Sequence, residues 1–163
     1  MEETRELIQN IRSIIPDIAI RTTFLVGFPG ESKKDFEELV DFVQEMQFER
    51  VGVFQYSHEE NTRAYDLKDN VSAKVKAERA NRLMEVQQEI SLEKNTAKIG
   101  KTFKVLFDRK EGEHFYGRTE SDSPEVDNEV IVAADDTYVR IGDFANVEIT
   151  EALEYDLIGE IRP

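Results

Sequence analysis

The sequence predicts an α/β segment, a long connecting helix and then a small five-stranded antiparallel β-barrel of the OB-like kind. Three observations carry this reading. Before residue 71 apolar residues fall into alternating helix-like and strand-like blocks, from Ser72 to Lys98 there is neither Gly nor Pro, and after Gly100 the apolar period switches to two. These changes divide the chain into parts at 1–70, 71–99 and 100–163.

Each element follows from its local pattern. In residues 2–15, Leu7, Ile8, Ile11, Ile14 and Ile15 form a helical stripe that stops at Pro16. Residues 18–26 (IAIRTTFLV) are rich in β-branched side chains and read as a strand. FPGES breaks it, and Ser32 with Asp35 three residues on makes a capping box for a helix whose apolar face is Phe36, Leu39, Val40, Val43 and Met46. Residues 50–56 (RVGVFQY) are the next strand. Helix–strand–helix–strand order asks for a right-handed crossover and a parallel sheet. Two strands cannot close a core, so 1–70 read as a slice of a larger α/β sheet or barrel. The 71–99 helix, about 40 Å long at 1.5 Å per residue, carries a narrow seam of Leu83, Met84, Val86 and Ile90, is capped by Ser72, and is otherwise charged, which suits a strut. Five short strands then follow at 102–108, 114–119, 129–132, 144–150 and 155–161, with turns such as Glu111-Gly112, Ser123-Pro124 and Gly142-Asp143.

Composition excludes several functions. The 163 residues include 21 Lys+Arg, 35 Asp+Glu and no Cys, for a net charge of −14. Without Cys there is no disulfide, thiolate zinc site, cysteine nucleophile or cysteine-ligated iron–sulfur cluster within these residues. No apolar run approaches the roughly 20 residues of a membrane span, and the acidic, amphipathic start MEETRELIQN is no secretory signal, so a cytoplasmic setting is expected. The acidic balance disfavours nucleic acid, whose affinity comes from Lys and Arg on phosphates, and favours a basic partner or solubility alone. It is uneven: residues 100–163 carry −9 and residues 1–99 carry −5.

Candidate chemistry is sparse. Gly27, Phe28, Pro29 and Gly30 sit where a parallel strand gives way to a helix, the place where α/β proteins bind ligands. Glycines there let backbone approach a ligand, and a helix start offers free N–H groups. A plain tight turn is the competing reading, since no GxxxxGK or GxGxxG is present. Alternation turns Arg21 and Thr23 to the strand's less apolar side, where a buried Arg needs a carboxylate or a ligand. His58 beside Glu59 and Glu60 has the residue types of a metal site or general base, but adjacent loop residues seldom converge on one ion. His114 reads as a surface residue. The acidic stretch 118–129 has the composition of a calcium loop without its glycine and DxDxDG spacing. It reads as a solvated loop or as a contact surface for a basic protein.

Longer motifs add a resemblance. DIAIRTTFLVGFPGES and DFEELVDFVQEMQFERVGVFQYSHEENTRAY resemble the second half of the radical S-adenosylmethionine domain of methylthiotransferases, and RLMEVQQEIS and NTAKIGK resemble the link to their C-terminal TRAM domain. YSHEENTRAYDL and GRTESDSPEVDNEV are similar to the RimO type, which methylthiolates an aspartate of a small-subunit ribosomal protein, rather than to the MiaB type, which modifies a tRNA adenosine. The resemblance implies a TIM-like partial barrel at 1–70 and a TRAM barrel at 100–163. It implies S-adenosylmethionine and two 4Fe-4S clusters as cofactors of the parent protein. With no Cys, this chain is expected to be a C-terminal fragment that binds none of them and is inactive alone. Gly27, Phe28, Pro29 and Gly30 are then expected to help hold S-adenosylmethionine, with Phe54, Gln55 and Tyr56 near its adenine and Arg21 and Thr23 in the same cofactor-binding set. Glu120, Asp122, Glu125, Asp127 and Glu129 are expected to dock the basic ribosomal protein. The alternatives are a MiaB-like tRNA enzyme and a non-catalytic acidic protein-binding module.

Overall fold

In the computed structural model of the chain, residues 2–124, 126–134 and 139–162 are described. They form two compact units, Met1–Ile90 and Ser91–Pro163.

The first unit contains α1 (Glu2–Ile14), β1 (Arg21–Val26), α2 (Lys33–Met46), β2 (Arg50–Gln55), one 3-10 turn (Arg63–Asp66) and the larger part of α3 (Ala73–Thr96). β1 and β2 pair in parallel, Arg21 opposite Arg50 and Leu25 opposite Phe54. The alternation in β1 is realised as expected: Phe24 and Val26 face the core, while Arg21, Thr23 and Leu25 are exposed. Val26 packs with Phe36, Val40 and Val43 of α2 and with Ala80 and Leu83 of α3. A second cluster joins Ile8 of α1 to Phe42, Met46 and Phe48.

Two expectations are corrected in this unit. The sheet has two strands with helices packed on one face, so a partial radical-SAM barrel is not shown; strand number is what defines a barrel, and two do not suffice. In α1 only Ile8 of the expected stripe is buried, whereas Leu7, Ile14 and Ile15 are exposed. The helix is fixed instead by polar links. Arg12 donates to the carbonyls of Met46 and Gln47, which satisfies the last carbonyls of α2 and places a cation at its negative end.

The second unit contains the end of α3 and the strands β3 (Thr102–Glu111), β4 (His114–Arg118), β5 (Val130–Ala133), β6 (Phe144–Ala152) and β7 (Leu157–Arg162). They close a barrel in the order β3-β4-β5-β7-β6. Its core is Val105, Phe107, Phe115, Val130, Val132, Val147, Ile149 and Leu157, all inward positions of period-two strands. The expected all-antiparallel barrel is corrected to a mixed one, because β5 and β7 pair in parallel. Geometry requires this: five strands in a closed ring cannot alternate direction all the way round. Room inside so small a barrel is tight. A Cβ on Gly117 or Gly159 would lie 2.6 Å from the carbonyl oxygen of Leu106 or Glu148.

α3 shows what apolar periodicity missed. Gln87, Ser91 and Asn95 are buried on its inner face beside the expected Leu83 and Ile90. Asn95 is fully buried, and its Nδ2 donates to the carbonyls of Leu153 at 3.1 Å and Tyr155 at 3.2 Å, tying the helix end to the β6–β7 turn. Among the described residues, no helix is long and apolar enough to cross a membrane.

Candidate functional site

The ends of β1 and β2 carry the first candidate site. Phe28, Pro29, Gly30 and Glu31 make a turn closed by Glu31 N–H donating to Phe28 O at 2.9 Å. Pro29 occupies its second position and Gly30, with φ +88°, its third, the pattern of a type II turn. Gly27 also has positive φ, +75°, and is packed so closely under Lys76 that a Cβ would overlap that side chain.

The amides expected to approach a ligand already have acceptors. Gly27 N–H donates to both carboxylate oxygens of Glu31 at 3.0 Å, and Gly30 N–H donates to Asn70 Oδ1 at 2.8 Å. Glu31 is in turn held by Arg79 at 2.5 Å, both side chains being largely buried. The start of α2 is also closed, which corrects the expectation of free N–H groups there. Ser32 and Asp35 form the expected capping box, and its hydrogen bonds from the Ser32 backbone and side chain hold the Asp35 carboxyl below its ordinary range. An anion has little to gain at a helix start already occupied by a carboxylate.

Tyr56 is buried and centres a second group of contacts. Its ring meets Phe28 edge-on at 5.2 Å, and the Lys76 ammonium lies 4.9 Å from its centroid. Its hydroxyl is 3.1 Å from His58 Nδ1, and the His58 ring stacks on Tyr65 at 4.7 Å. Lys76 pairs with Asp69 at 2.6 Å; that hydrogen bond, with a smaller contribution from His58, holds the Asp69 carboxyl below its ordinary range.

The expected residues are thus only partly brought together. Gly27, Phe28, Pro29, Gly30 and Tyr56 share the strand ends, with Gln55 exposed beside them. Phe54 is 64% exposed on the open face of the sheet, opposite an exposed Leu25. Thr23 lies on the same open face, opposite Gly52. Arg21 is exposed rather than buried and begins β1, five residues from its end, roughly 17 Å away at about 3.3 Å per residue. Lys76, Asp69, Asn70 and the Arg79–Glu31 pair escaped the sequence reading. Asn70, Lys76 and Arg79 meet the turn across 40 or more residues, Asp69 reaches it only through Lys76, and only the spacing of Lys76 and Arg79, one turn apart on a helix, left a local trace.

The acidic loop of the barrel is the second candidate. Asp122 is buried and accepts from Thr119 Oγ1 at 2.6 Å. Asp127 accepts from Ser123 N–H at 2.8 Å. Glu129 takes both terminal nitrogens of Arg109, whose guanidinium lies 4.3 Å from the Tyr116 ring centroid. The hydrogen bonds that Arg109 donates to Glu129 and Glu111 raise its pKa, so this cation is permanent. Glu120 is exposed, and Glu125 lies outside the described residues. Three of the expected docking carboxylates are therefore engaged in holding the loop and its neighbours together. Thr and Ser placed three and four residues before Asp are the local signal for such turns.

Two cofactor types can be tested against these residues. The exposed aromatic and aliphatic surface of Leu25, Phe28 and Phe54 suits the flat face of an adenine ring. An iron–sulfur cluster does not fit, since the chain offers no thiolate.

A small mixed barrel following a long helix is the architecture of an appended β-domain, and residues 99–161 match the TRAM domain. Over nearly its whole length the chain is similar to RimO-type methylthiotransferases. It is 58% identical over 98% of its length to the ribosomal protein uS12 methylthiotransferase RimO of Cytophaga hutchinsonii, covering 36% of that protein. It is 54% identical over 98% to that of Christiangramia forsetii, covering 35%, and 48% identical over 98% to that of a Thermoanaerobacter species, covering 36%. The resemblance to the RimO type is thereby shown, and the chain spans a little over a third of the length of these relatives.

Proposed function

We propose that the chain is the C-terminal part of a radical S-adenosylmethionine methylthiotransferase that modifies an aspartate side chain of ribosomal protein uS12 in the cytoplasm. The observation that carries the reading is 58% identity over 98% of the chain to a protein named as a ribosomal protein uS12 methylthiotransferase. In this reading S-adenosylmethionine, when bound to the parent enzyme, supplies the radical that starts the chemistry. The clusters that reduce it belong to residues beyond this chain. Leu25, Phe28 and Phe54 present an apolar, aromatic surface to the adenine, backed by the buried Tyr56, with Gln55 and Thr23 beside it and Arg21 at the far end of the same face. The turn at Gly27, Phe28, Pro29 and Gly30 acts as a rigid wall, since its amides are spent on Glu31 and Asn70.

The TRAM barrel docks the protein substrate. Its residues carry most of the chain's negative charge, which favours a basic polypeptide over RNA. Glu120 supplies docking charge, joined by Glu125 on the strength of the sequence alone, while Asp122, Asp127 and Glu129 fix the loop's shape. One observation favours the tRNA-directed alternative: Phe144 is 59% exposed with the Lys104 ammonium 4.7 Å from its centroid, a pairing that can stack a base. Calorimetric titration of uS12, and in parallel of tRNA, into wild type and the E120Q/E125Q double variant separates the two. The docking reading expects affinity for uS12 reduced severalfold with the fold intact. Unchanged affinity at low salt rejects these two carboxylates as docking charges.

A further inference from the structure

The segment 57–70 runs from the end of β2 back to the turn after β1 and, apart from one 3-10 turn, has no regular structure. Most of it is exposed. Fourteen-residue stretches of that kind inside a compact unit are uncommon and tend to be functional. This one is fastened at both ends of the candidate site. Next to β2, His58 meets the Tyr56 hydroxyl and stacks on Tyr65. Next to the turn, Asn70 accepts from Gly30 N–H and Asp69 pairs with Lys76.

Lys76 joins all of these parts. It is 93% buried by its 7% exposure, unusual for a lysine. Its aliphatic stem fills the space above Gly27 that a side chain there would need. Its ammonium reaches the Tyr56 ring face and Asp69. A buried cation with one carboxylate partner makes that pair costly to break from either side. One helical turn further along α3, Arg79 holds Glu31, so the two side chains touch the same turn at Gly27 and at Glu31.

We infer that Lys76 is a positioning residue of the strand-end site, and that its ion pair with Asp69 latches segment 57–70 as a strap across the ends of β1 and β2. The stem sets Gly27, the ammonium sets the strap, and the strap's attachment governs how tightly the site holds an adenosyl group. This last consequence rests on the cofactor reading given above; the latch itself does not.

Hydrogen exchange by mass spectrometry on the whole chain tests the latch. Lys76→Met keeps the stem over Gly27 and removes the ammonium, and Asp69→Asn removes the charge of its partner. In each, peptides from 57–70 exchange about tenfold faster, while those from α2 and from the barrel keep wild-type rates. The double variant exchanges no faster than either single one, because both remove the same interaction; a role of Lys76 in packing alone would leave Lys76→Met silent. Wild-type exchange at 57–70 in Lys76→Met, or additive effects in the double variant, overturns the latch.

A second arm titrates S-adenosylmethionine against the same peptides in the cluster-loaded parent enzyme of the reading above, carrying the same substitution. Protection of 57–70 in wild type, with about tenfold more ligand required in Lys76→Met, supports the positioning role. Protection that is equal in both overturns it. No protection in wild type overturns the cofactor reading and its consequence, and leaves the latch to be decided by the ligand-free variants.

Discussion

The backbone N–H of Gly27 donates to both carboxylate oxygens of Glu31, 3.0 Å from each. A residue whose positive φ and lack of side chain mark it for close approach to a ligand is thus closed from behind by the fourth residue along the chain. Arg79 neutralises that carboxylate from α3 at 2.5 Å. The strand-end turn is held by charge and hydrogen bonds as well as by the Phe28–Tyr56 ring contact and the Lys76 stem.

Glu31→Ala is therefore expected to destabilise the first unit by about 3–5 kcal/mol, the usual consequence of leaving a largely buried cation without its partner. Thermal unfolding followed by circular dichroism reads this as a lowered transition. Arg79→Met with Glu31→Gln, which removes both charges, is expected to be milder than Glu31→Ala.

Gly30→Ala isolates backbone strain. Its φ is +88° and nothing lies within 4 Å of where a Cβ would go, so the penalty is conformational alone, about 1–2 kcal/mol. Denaturant midpoints compared with wild type give the number.

Gly159→Ala tests the barrel. The added Cβ meets the Glu148 carbonyl oxygen at 2.6 Å, and backbone cannot give way as a flexible side chain would, so about 1–3 kcal/mol is expected from overpacking. Exchange measurements are expected to show loss of protection in β6 and β7 while α1 and α2 are unaffected.

Acid is expected to weaken the first unit. Asp69 is held below its ordinary range by Lys76, Asp35 by Ser32 and Glu37 by Arg82. For a carboxylate depressed in the fold, the stabilisation is complete above the unfolded value and is lost as pH falls through the folded one. Stability is thus expected to hold down to about pH 5 and to fall below about pH 4, where unfolded carboxylates begin to bind protons first. Melting temperature against pH checks this, and Glu37→Gln is expected to flatten the decline.

Much of the fold was legible because its signals are local. Ser32 and Asp35 cap α2 where their spacing placed them, and Ser72 Oγ accepts from Val75 N–H at 3.3 Å at the start of α3. Period-two alternation placed the barrel's five strands. What escaped was long-range or closure-dependent. The parallel β5–β7 pair follows from ring closure, not from any residue. The buried Asn95 is polar, and its two carbonyl acceptors lie 58 and 60 residues away. At the candidate site, the glycines and Pro29 announced a turn, but nothing local to Lys76 or Asn70 announced that they reach it from 40 or more residues away. The charge of the 118–129 loop was legible as charge; its use in Thr119–Asp122 and Glu129–Arg109 contacts depends on the folded barrel.

The most direct measurement is the affinity of this chain for purified uS12 at two ionic strengths, with tRNA as competitor. An acidic TRAM barrel that docks a basic polypeptide predicts saturable binding, weakened severalfold as salt is raised through the range where the Debye length shrinks below about 8 Å, and indifferent to tRNA. Binding insensitive to salt, or displacement of uS12 by tRNA, would contradict it.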